Sequence, residues 1–334
     1  MTLPDDFKAL VVTETEDNKF VRSVEHKKFD DLPEGEVVVQ VLYSSLNYKD
    51  VLSATGNKGV TRNYPHTPGI DAAGIVADST VEQFKTGDAV IVTSYDLGMN
   101  TAGGFGQYIR VPSGWVVPQP ESLTASEAMI YGTAGFTAAL SVWHMIESGV
   151  TPDDGVVLVS GATGGVGSIA VSILSKLGYT VTAVNGVVDE TDYLRGIGAA
   201  DVISIEDATD TSGRPLLKSK WAGAIDTVGG DILATTIKSA KGNAAVTCCG
   251  NVASPDLPLN VFPVILRGVK LIGIDSQNCA MPIRVKIWQK IASEWKIDRL
   301  QALTTEAPFS ELEDKIELML QGKHLGRTII KMSD

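Results

Sequence analysis

The sequence is poor in cysteine, in long apolar stretches and in positive charge, and each shortage excludes a class of protein. Its 334 residues contain 3 cysteines, an odd number that does not suit the disulfide framework of a small secreted domain. No apolar run reaches the ~18 residues that a membrane-spanning helix needs. Only 28 basic residues face 40 acidic ones, and the net charge of −12 argues against partners such as nucleic acid or an anionic membrane surface.

The cysteines also lack the spacing of a metal site. Cys248 and Cys249 are adjacent, Cys279 stands apart, and no Cys-x-x-Cys or His-x-x-x-His pattern accompanies them. We therefore predict no metal. Reduced thiols, and the absence of signal-peptide regions at the N-terminus, predict a cytoplasmic protein. With 44% hydrophobic and 20% charged residues, the chain is long enough for one large or two ordinary globular domains.

A glycine-rich turn is the most informative feature present. It follows an apolar stretch at 156–159 and precedes residues 169–177, whose apolar side chains have helical spacing. Unpaired amides at a helix N-terminus attract phosphate, and glycines let the backbone approach it closely. The alternative, glycines that only close a turn, is less consistent with the strand–turn–helix context. We predict a dinucleotide site that includes Gly161, Thr163, Gly164, Gly165, Val166 and Gly167.

The rest of the chain divides into two patterns. Short strands broken by turns precede residue 112 and predict a partly closed β domain. A helix is expected at 123–148, capped by Ser122 or Thr124. From 156 to 274 strands alternate with helices, which predicts an α/β fold with a parallel, doubly wound sheet. Helical stretches near 282–296 and 309–321 precede a closing strand, 327–331, that we expect to rejoin the first domain.

Four segments carry a resemblance to a known family: Ser-Leu-Asn-Tyr-Lys-Asp at 45–50, Tyr-Pro-His-Thr-Pro-Gly-Ile-Asp at 64–71, Gly-Thr-Ala-Gly-Phe-Thr at 132–137 and Leu-Ile-Gly-Ile-Asp-Ser at 271–276. With the order of β domain, helix, glycine turn and returning C-terminus, the chain resembles the medium-chain dehydrogenase/reductase superfamily, and most closely its acrylyl-CoA reductase and quinone oxidoreductase branch. The resemblance implies a GroES-like partly closed β-barrel domain, 1–125 completed by 280–334, and a Rossmann-type domain, 126–279.

The resemblance also bears on zinc. Zinc alcohol dehydrogenases of this superfamily carry a cysteine where Asn47 stands and Gly-His-Glu where this chain has Gly-Ile-Asp at 69–71. A zinc site needs about three protein ligands, which these positions do not supply. The chain is therefore expected to be a zinc-free reductase that uses NAD(P)H, and an alcohol dehydrogenase is the less favoured interpretation.

The implied reaction reduces a conjugated C=C bond. Hydride passes from nicotinamide C4, in the cleft between the domains, to the β carbon of an enoyl thioester or enone, and the developing enolate needs hydrogen-bond donors and a proton. Tyr48 is the candidate proton donor, with a coenzyme-held water as the alternative. Asn47 is expected to steady the enolate or the nicotinamide, while Asp50 either joins this polar cluster or caps a helix.

Further coenzyme contacts come from the resemblance, and several have a plain structural alternative. Thr137 could instead bond within its own helix, Arg327 could only brace the closing strand, and Tyr48 could be a half-buried aromatic. His66 is interpreted as structural, and Lys58 and Arg62 either meet a substrate phosphate or belong to ordinary surface. The expected contacts are Tyr48, Tyr131, Thr133, Thr137, Gly250, Ser276 and Arg327.

The choice of coenzyme rests on the end of the second strand, where Asn185, Gly186 and Val187 are expected to lie near the ribose. Relatives carry an arginine where Val187 stands, and such a cation would hold the 2′-phosphate of NADP. An acidic residue that would bind the free ribose hydroxyls of NAD is missing as well, since Asn185 is neutral. The resemblance favours NADP(H), these residues lean mildly against it, and dual use or a preference for NADH stays open.

The remaining expectations concern the oligomeric state, the substrate and the activity. The apolar strand 269–274 predicts a homodimer if it is an edge strand, but it could equally be internal. The partner is a small-molecule enoyl thioester, enone or quinone. Quinone reduction is the alternative activity, and a catalytically weak nucleotide-binding redox sensor is the alternative of another class.

Overall fold

The computed structural model describes residues 3–186 and 190–332, and within them the chain forms two compact units. The first unit consists of residues 3–133, 277–292 and 304–332, and the second of 134–186, 190–276 and 293–303. The sequence-based boundaries at 125/126 and 279/280 stay a prediction. In the described residues no helix is both long enough and apolar enough to cross a membrane.

The strands of the first unit are β1 (Phe7–Glu14), β2 (Phe20–Lys27), β3 (Val37–Leu46), β4 (Asp71–Ser79), β5 (Ala89–Thr93), β6 (Tyr108–Val111), β7 (Val116–Pro118), β14 (Thr304–Pro308) and β15 (Arg327–Lys331). Its helices are α1 (Tyr48–Ala54), α7 (Met281–Ile291) and α8 (Leu312–Leu320).

A seven-stranded sheet organises the first unit. Its order is β14-β15-β3-β4-β5-β7, with β6 also paired to β3, and all pairs except β14–β15 are antiparallel. β1 and β2 form a separate hairpin. The C-terminal strand β15 pairs with β3, so the predicted return of residues 327–331 to the first domain is confirmed. Buried valines and leucines of β3, β4 and β5 form the core.

The second unit contains β8 (Val157–Val159), α3 (Gly165–Lys176), β9 (Val181–Asn185), α4 (Thr191–Gly196), β10 (Asp201–Ser204), β11 (Trp221–Asp226), α5 (Gly230–Lys238), β12 (Ala240–Cys248), α6 (Phe262–Arg267) and β13 (Lys270–Gly273). All six strands are parallel, in the order β10-β9-β8-β11-β12-β13. This is the 3-2-1-4-5-6 order of a Rossmann sheet, and it confirms the predicted doubly wound sheet.

Helix α2 (Ala125–Glu147) begins in the first unit and ends in the second. Thr124 caps it: its hydroxyl accepts the Glu127 amide at 3.1 Å, and the Glu127 carboxylate accepts the Thr124 amide at 2.9 Å. Of the two predicted caps, the structure therefore selects Thr124. Gly132 interrupts the helix with φ 49° and ψ −154°, a conformation that side chains rarely permit.

Gly167 shows how tightly α3 packs on the glycine turn. A Cβ at this position would lie 2.2 Å from the Gly161 carbonyl oxygen and 2.7 Å from the Ala162 Cα, both of which belong to backbone that has little freedom to move. We predict that Gly167→Ala lowers the free energy of unfolding by about 1–3 kcal/mol, the usual cost of overpacking. Chemical denaturation followed by circular dichroism measures this change.

Gly196→Ala is the matched control, because a Cβ there would meet nothing within 4 Å. Its effect is expected to stay within about 0.5 kcal/mol. Equal effects of the two variants would contradict the close approach at Gly167.

Candidate active site

The glycine turn lies where the strand order of the second unit reverses, between β8 and β11. Ser160, which follows β8, donates its hydroxyl to the Asp226 carboxylate at 2.7 Å and accepts the Thr227 amide at 3.0 Å. Gly161 has φ 57°, and a Cβ on it would lie 2.2 Å from the Thr227 hydroxyl. The ends of the two strands are therefore locked together directly beneath the turn.

The turn presents the start of α3 as a set of backbone donors. The first amide to bond along the helix is that of Ser168, which donates to the Gly164 carbonyl at 2.9 Å. The amides of Gly165, Val166 and Gly167 precede this bond and belong to the unsatisfied first turn. The residues therefore fit a phosphate group, which would accept from these amides at the positive end of the helix dipole.

Other predicted coenzyme residues belong to the second unit. The Thr137 hydroxyl donates to that of Ser276 at 2.7 Å. Gly250 follows β12, and a Cβ added at this position would lie 2.0 Å from the Thr227 carbonyl oxygen. Asn185 is buried at the end of β9, with Gly186 after it, whereas Val187 lies outside the described residues. Thr163 is half-buried in the turn itself.

The first unit holds a buried polar cluster, which comprises Ser45, Asn47, Asp50, Asp71, Thr133 and Arg327. Asp71 is its centre and is fully buried at the start of β4. Its carboxylate accepts hydrogen bonds from the Ser45 hydroxyl at 2.5 Å, the Asn47 amide group at 2.8 Å and the Thr133 hydroxyl at 2.6 Å.

Arg327 supplies the positive charge of the cluster. It is 1% exposed, and it donates to the Ile130 carbonyl at 2.8 Å, the Ser45 hydroxyl at 2.8 Å and the Asn47 side-chain oxygen at 3.2 Å. Its guanidinium lies 4.0 Å from the Asp71 carboxylate. These contacts support the bracing role, and a contact between Arg327 and a coenzyme phosphate stays a prediction that its burial disfavours.

Asp50 belongs to the polar cluster and also caps a helix, which are the two roles that the sequence left open. Its carboxylate accepts the backbone amide of Asn47 at 2.8 Å, which caps α1, and that of Ile70 at 2.7 Å. Burial, and next the charge of Asp71, raise the pKa of Asp50 to about 7, although the two amides act in the opposite direction. With Asp50 protonated, the cluster holds one carboxylate and one guanidinium and is electrically neutral.

Gly132 lets α2 contribute to this cluster. The break in the helix at Gly132 allows the Thr133 amide to donate to both oxygens of Asp71, at 3.0 and 2.9 Å. A Cβ at Gly132 would lie 2.5 Å from the Asp71 carboxylate and 2.9 Å from the Arg327 guanidinium. The predicted coenzyme residue Thr133 is thus tied to Asp71, while its neighbour Tyr131 is fully buried.

Tyr48 is adjacent to the cluster in sequence but, unlike its neighbours Asn47 and Asp50, it is exposed to solvent. It is the first residue of α1 and is 55% exposed. Its hydroxyl makes no hydrogen bond to any part of the chain that the structure describes. The Asn47 amide group, by contrast, donates to Asp71 and to Asp50 at 3.2 Å, so its donors point into the cluster. The Tyr48 side chain is therefore accessible to solvent, whereas the Asn47 side chain is held within the cluster.

Asn47 and Asp71, two of the positions compared above with those of zinc alcohol dehydrogenases, lie side by side in this cluster. Asn47 and Asp71 bond to each other, and the remaining capacity of Asp71 is taken by Ser45, Thr133 and Arg327. Among the described residues no group of three or more His, Cys, Asp or Glu side chains could hold a metal ion. The donor set does not fit zinc.

His66 and Lys58 have the structural roles that the sequence analysis gave as possible for them. His66 is buried, burial lowers its pKa, and its backbone pairs with Val12. Lys58 pairs with the Glu14 carboxylate at 2.5 Å at the surface.

Sequence reasoning missed Asp71, Ser45 and Ser94 as site residues. The Ser94 hydroxyl lies 2.8 Å from that of Thr133, which extends the cluster. Asp71 had a usable signal, since it ends the Pro-Gly-Ile-Asp segment, but only its partners far along the chain reveal its role.

Comparisons with known proteins identify two family models within the chain. Residues 33–121 match the family model described as alcohol dehydrogenase GroES-like domain, which agrees with the expected GroES-like character of the first domain. Residues 165–293 match the model described as zinc-binding dehydrogenase.

Two curated relatives span nearly the whole chain. "Putative quinone oxidoreductase YhfP" of Bacillus subtilis is 44% identical over 91% of this chain and 92% of its own length. "Acrylyl-CoA reductase AcuI" of Ruegeria pomeroyi is 42% identical over 98% of this chain and 99% of its own length.

Solved structures are equally similar. The YhdH oxidoreductase of Salmonella enterica in complex with NADP has a TM-score of 0.94 and 39% identity, and covers 98% of this chain and 100% of its own. The Bacillus subtilis protein YhfP with NAD bound has a TM-score of 0.96 and 42% identity over 98% and 100% of the two chains.

The pKa of Asp50 makes the stability of the first unit depend on pH. Because the pKa is about 7 in the folded protein and 3.8 without perturbation, the folded state binds more protons between these values. Stability from this group is therefore present at low pH and is lost as pH rises towards 7. We predict that the stability advantage of the wild type over Asp50→Asn shrinks across this window, as measured by denaturant unfolding at several pH values.

Asp5→Asn, which makes the same substitution at an exposed position, is the control. A constant difference between wild type and Asp50→Asn would show that Asp50 is not protonated in the folded protein.

Proposed function

Since the chain belongs to the medium-chain dehydrogenase/reductase superfamily, we propose that it is an NAD(P)H-dependent reductase of activated C=C bonds. The favoured substrate is an enoyl thioester resembling acrylyl-CoA, because the relative from Ruegeria pomeroyi is named acrylyl-CoA reductase. A quinone is the alternative acceptor, in line with the other relative. The observation that carries the proposal is the glycine turn at the switch point of a 3-2-1-4-5-6 sheet, with its unsatisfied helix amides.

The coenzyme would be held by the second unit. The first-turn amides of α3 at Gly165, Val166 and Gly167 would bind its pyrophosphate. Thr137, Asn185 and Ser276 are the side chains proposed to orient its other groups. When bound, the nicotinamide supplies the hydride.

The first unit would supply the proton. The reduced alkene develops enolate charge, which must be stabilised and protonated. Tyr48 is the proposed donor because its hydroxyl is exposed and uncommitted within the described chain. Asn47 and Asp50 are positioning residues: their reciprocal capping bonds fix the residue at which α1 begins, and that residue is Tyr48.

We predict that Tyr48→Phe lowers kcat with acrylyl-CoA by about 10²-fold or more, because general acid catalysis contributes at least that much. The loss of coenzyme absorbance, followed with NADH and with NADPH, gives the rate. Coenzyme affinity, measured separately by fluorescence, shows whether the Tyr48 hydroxyl also contacts the coenzyme.

The control is Tyr43→Phe, which removes a hydroxyl that donates a hydrogen bond to Glu306 at 3.4 Å. Unchanged turnover in Tyr48→Phe would assign the proton to another donor. Activity with quinones alone would select the alternative acceptor, and coenzyme binding without any turnover would favour the redox-sensor interpretation.

A homodimer is the proposed assembly, and an edge strand supports it. β13 is the last strand of the six-stranded sheet, and Leu271 on it is 43% exposed. The preceding helix α6 exposes Ile265 and Leu266 by 65% and 63%. Two copies of such an edge can pair about a two-fold axis and bury both apolar surfaces.

Ile265→Glu is predicted to convert the dimer to a monomer, because it places a charge in the apolar contact without disturbing the core. Sedimentation velocity at micromolar concentration measures the change. Val24→Glu, at a 53% exposed valine of the first unit, is the control and should stay dimeric. A monomeric wild type would overturn the proposed assembly.

A further inference from the structure

A groove in the second unit is lined by residues that the active site does not use. It has a volume of about 560 Å³, within the roughly 300–1,000 Å³ that small-molecule sites occupy. Its walls are the C-terminal part of α3, the end of α4 with the residues that follow it, and residues 297–303. All of these segments belong to the second unit. The groove is large enough to hold a small molecule of its own.

The groove lies at the opposite end of α3 from the glycine turn. The turn leads into Gly165, where α3 begins, whereas Ser175 and Lys176 line the groove at the end of the helix. With 12 residues and a rise of about 1.5 Å per residue, α3 is about 18 Å long. A ligand in the groove would therefore be separate from a phosphate held by the turn.

The lining of the groove is basic, although the chain as a whole is acidic. Lys176, Arg195 and Arg299 supply three positive charges, and Asp298 supplies one negative charge, which leaves +2 against −12 for the whole chain. Lys176 pairs with Asp298 at 2.7 Å. Arg195 and Arg299 are exposed and form no ion pair or hydrogen bond within the part of the chain that the structure describes. Two guanidinium groups are thus available to a ligand.

Helix dipoles account for two of these cations. Lys176 and Arg195 lie in the last turns of α3 and α4, where positive charge is favourable. Arg299 has no such role, because it precedes the 3₁₀ turn Leu300–Leu303. The groove therefore carries a cation beyond those that stabilise its helix ends.

Hydroxyl and apolar groups complete the lining. The Ser175 hydroxyl makes no hydrogen bond within the described residues. A Cβ on Gly198 would lie 2.4 Å from that hydroxyl, so α3 and the residues after α4 are in close contact. Ile197, Ile297 and Leu303 supply apolar surface. A ligand that fits this lining combines an anionic group that accepts hydrogen bonds with an apolar body.

We propose that the groove binds a phosphate monoester with an apolar body. A phosphate monoester carries about −1.5 to −2 charges at neutral pH, which matches the +2 of the lining, whereas a single carboxylate would leave half of that charge unmatched. Guanidinium groups donate paired hydrogen bonds to phosphate oxygens. Arg195 and Arg299 hold the phosphate, the Ser175 hydroxyl donates to it, and the body packs on Ile197 and Ile297. The site goes beyond the proposed function and does not depend on it.

Ligand-observed NMR titration of the full chain with phenyl phosphate tests the site, and inorganic phosphate is the probe without an apolar body. We expect phenyl phosphate to bind at least about threefold more tightly than inorganic phosphate, and equally well with and without NADH. Arg299→Gln is expected to weaken its binding by about fivefold or more. Asp298→Asn should strengthen it by about twofold or more, because a negative charge is removed from the lining.

Gly196→Phe tests the location of the site without a change of charge. Gly196 lines the groove, and a Cβ there would meet nothing within 4 Å, so the added ring fills the groove and should abolish binding. Arg214→Gln is the matched control for Arg299→Gln, because Arg214 is exposed in the same unit but does not line the groove. It should leave the affinity unaltered. Circular dichroism checks that each variant is folded.

Several results would overturn the inference. Absence of phenyl phosphate binding to the wild type, or an affinity that neither Arg299→Gln nor Gly196→Phe lowers, would show that the groove is not a phosphate site. Displacement of phenyl phosphate by NADH would place it in the glycine turn, which would overturn the inference while supporting the proposed function. An affinity no greater than that of inorganic phosphate would overturn the apolar body of the ligand.

Discussion

The first unit depends on one buried charge pair, Asp71 and Arg327. Moving two such ions out of water costs several kcal/mol each, and their attraction alone seldom offsets this. Here the cost is met by hydrogen bonds from Ser45, Asn47 and Thr133 to the carboxylate, and by oxygens that accept from the guanidinium. Because these groups come from β3, β4, β15 and α2, four segments that are distant in sequence hold one another in place. The pair is thus a positional constraint more than a source of stability.

A short series of hydrogen bonds connects this charge pair to Tyr48, the residue proposed to donate the proton. Asp71 holds the Asn47 side chain, Asn47 and Asp50 cap α1 reciprocally, and α1 begins at the exposed Tyr48. A proton donor must be placed to within a fraction of an ångström, and a capped helix end that is anchored in a buried network is more rigid than a loop. The cation at this site is a guanidinium that belongs to the chain, so the network is assembled by folding alone.

Local patterns made the second unit predictable, and long-range contacts made the first unit hard to predict. The alternation of strands and helices and the glycine turn occupy contiguous sequence, so periodicity alone located them. β14 was missed because its residues are polar and end in proline. Asp71 and Arg327 are far apart in sequence, and nothing in the sequence alone pairs them.

The second unit shows how an acidic chain can accommodate an anionic coenzyme. Asp226 is buried beneath the glycine turn, where the Ser160 hydroxyl and the Gly229 amide bond it and burial raises its pKa. The groups proposed to bind phosphate are backbone amides at the start of α3, whose dipoles act over a few ångströms. Repulsion from the net charge of −12 is screened by salt over roughly 8–10 Å. Screened repulsion of this range opposes approach of the coenzyme, while the proposed contacts to its phosphates are made at short distance by uncharged groups of the backbone.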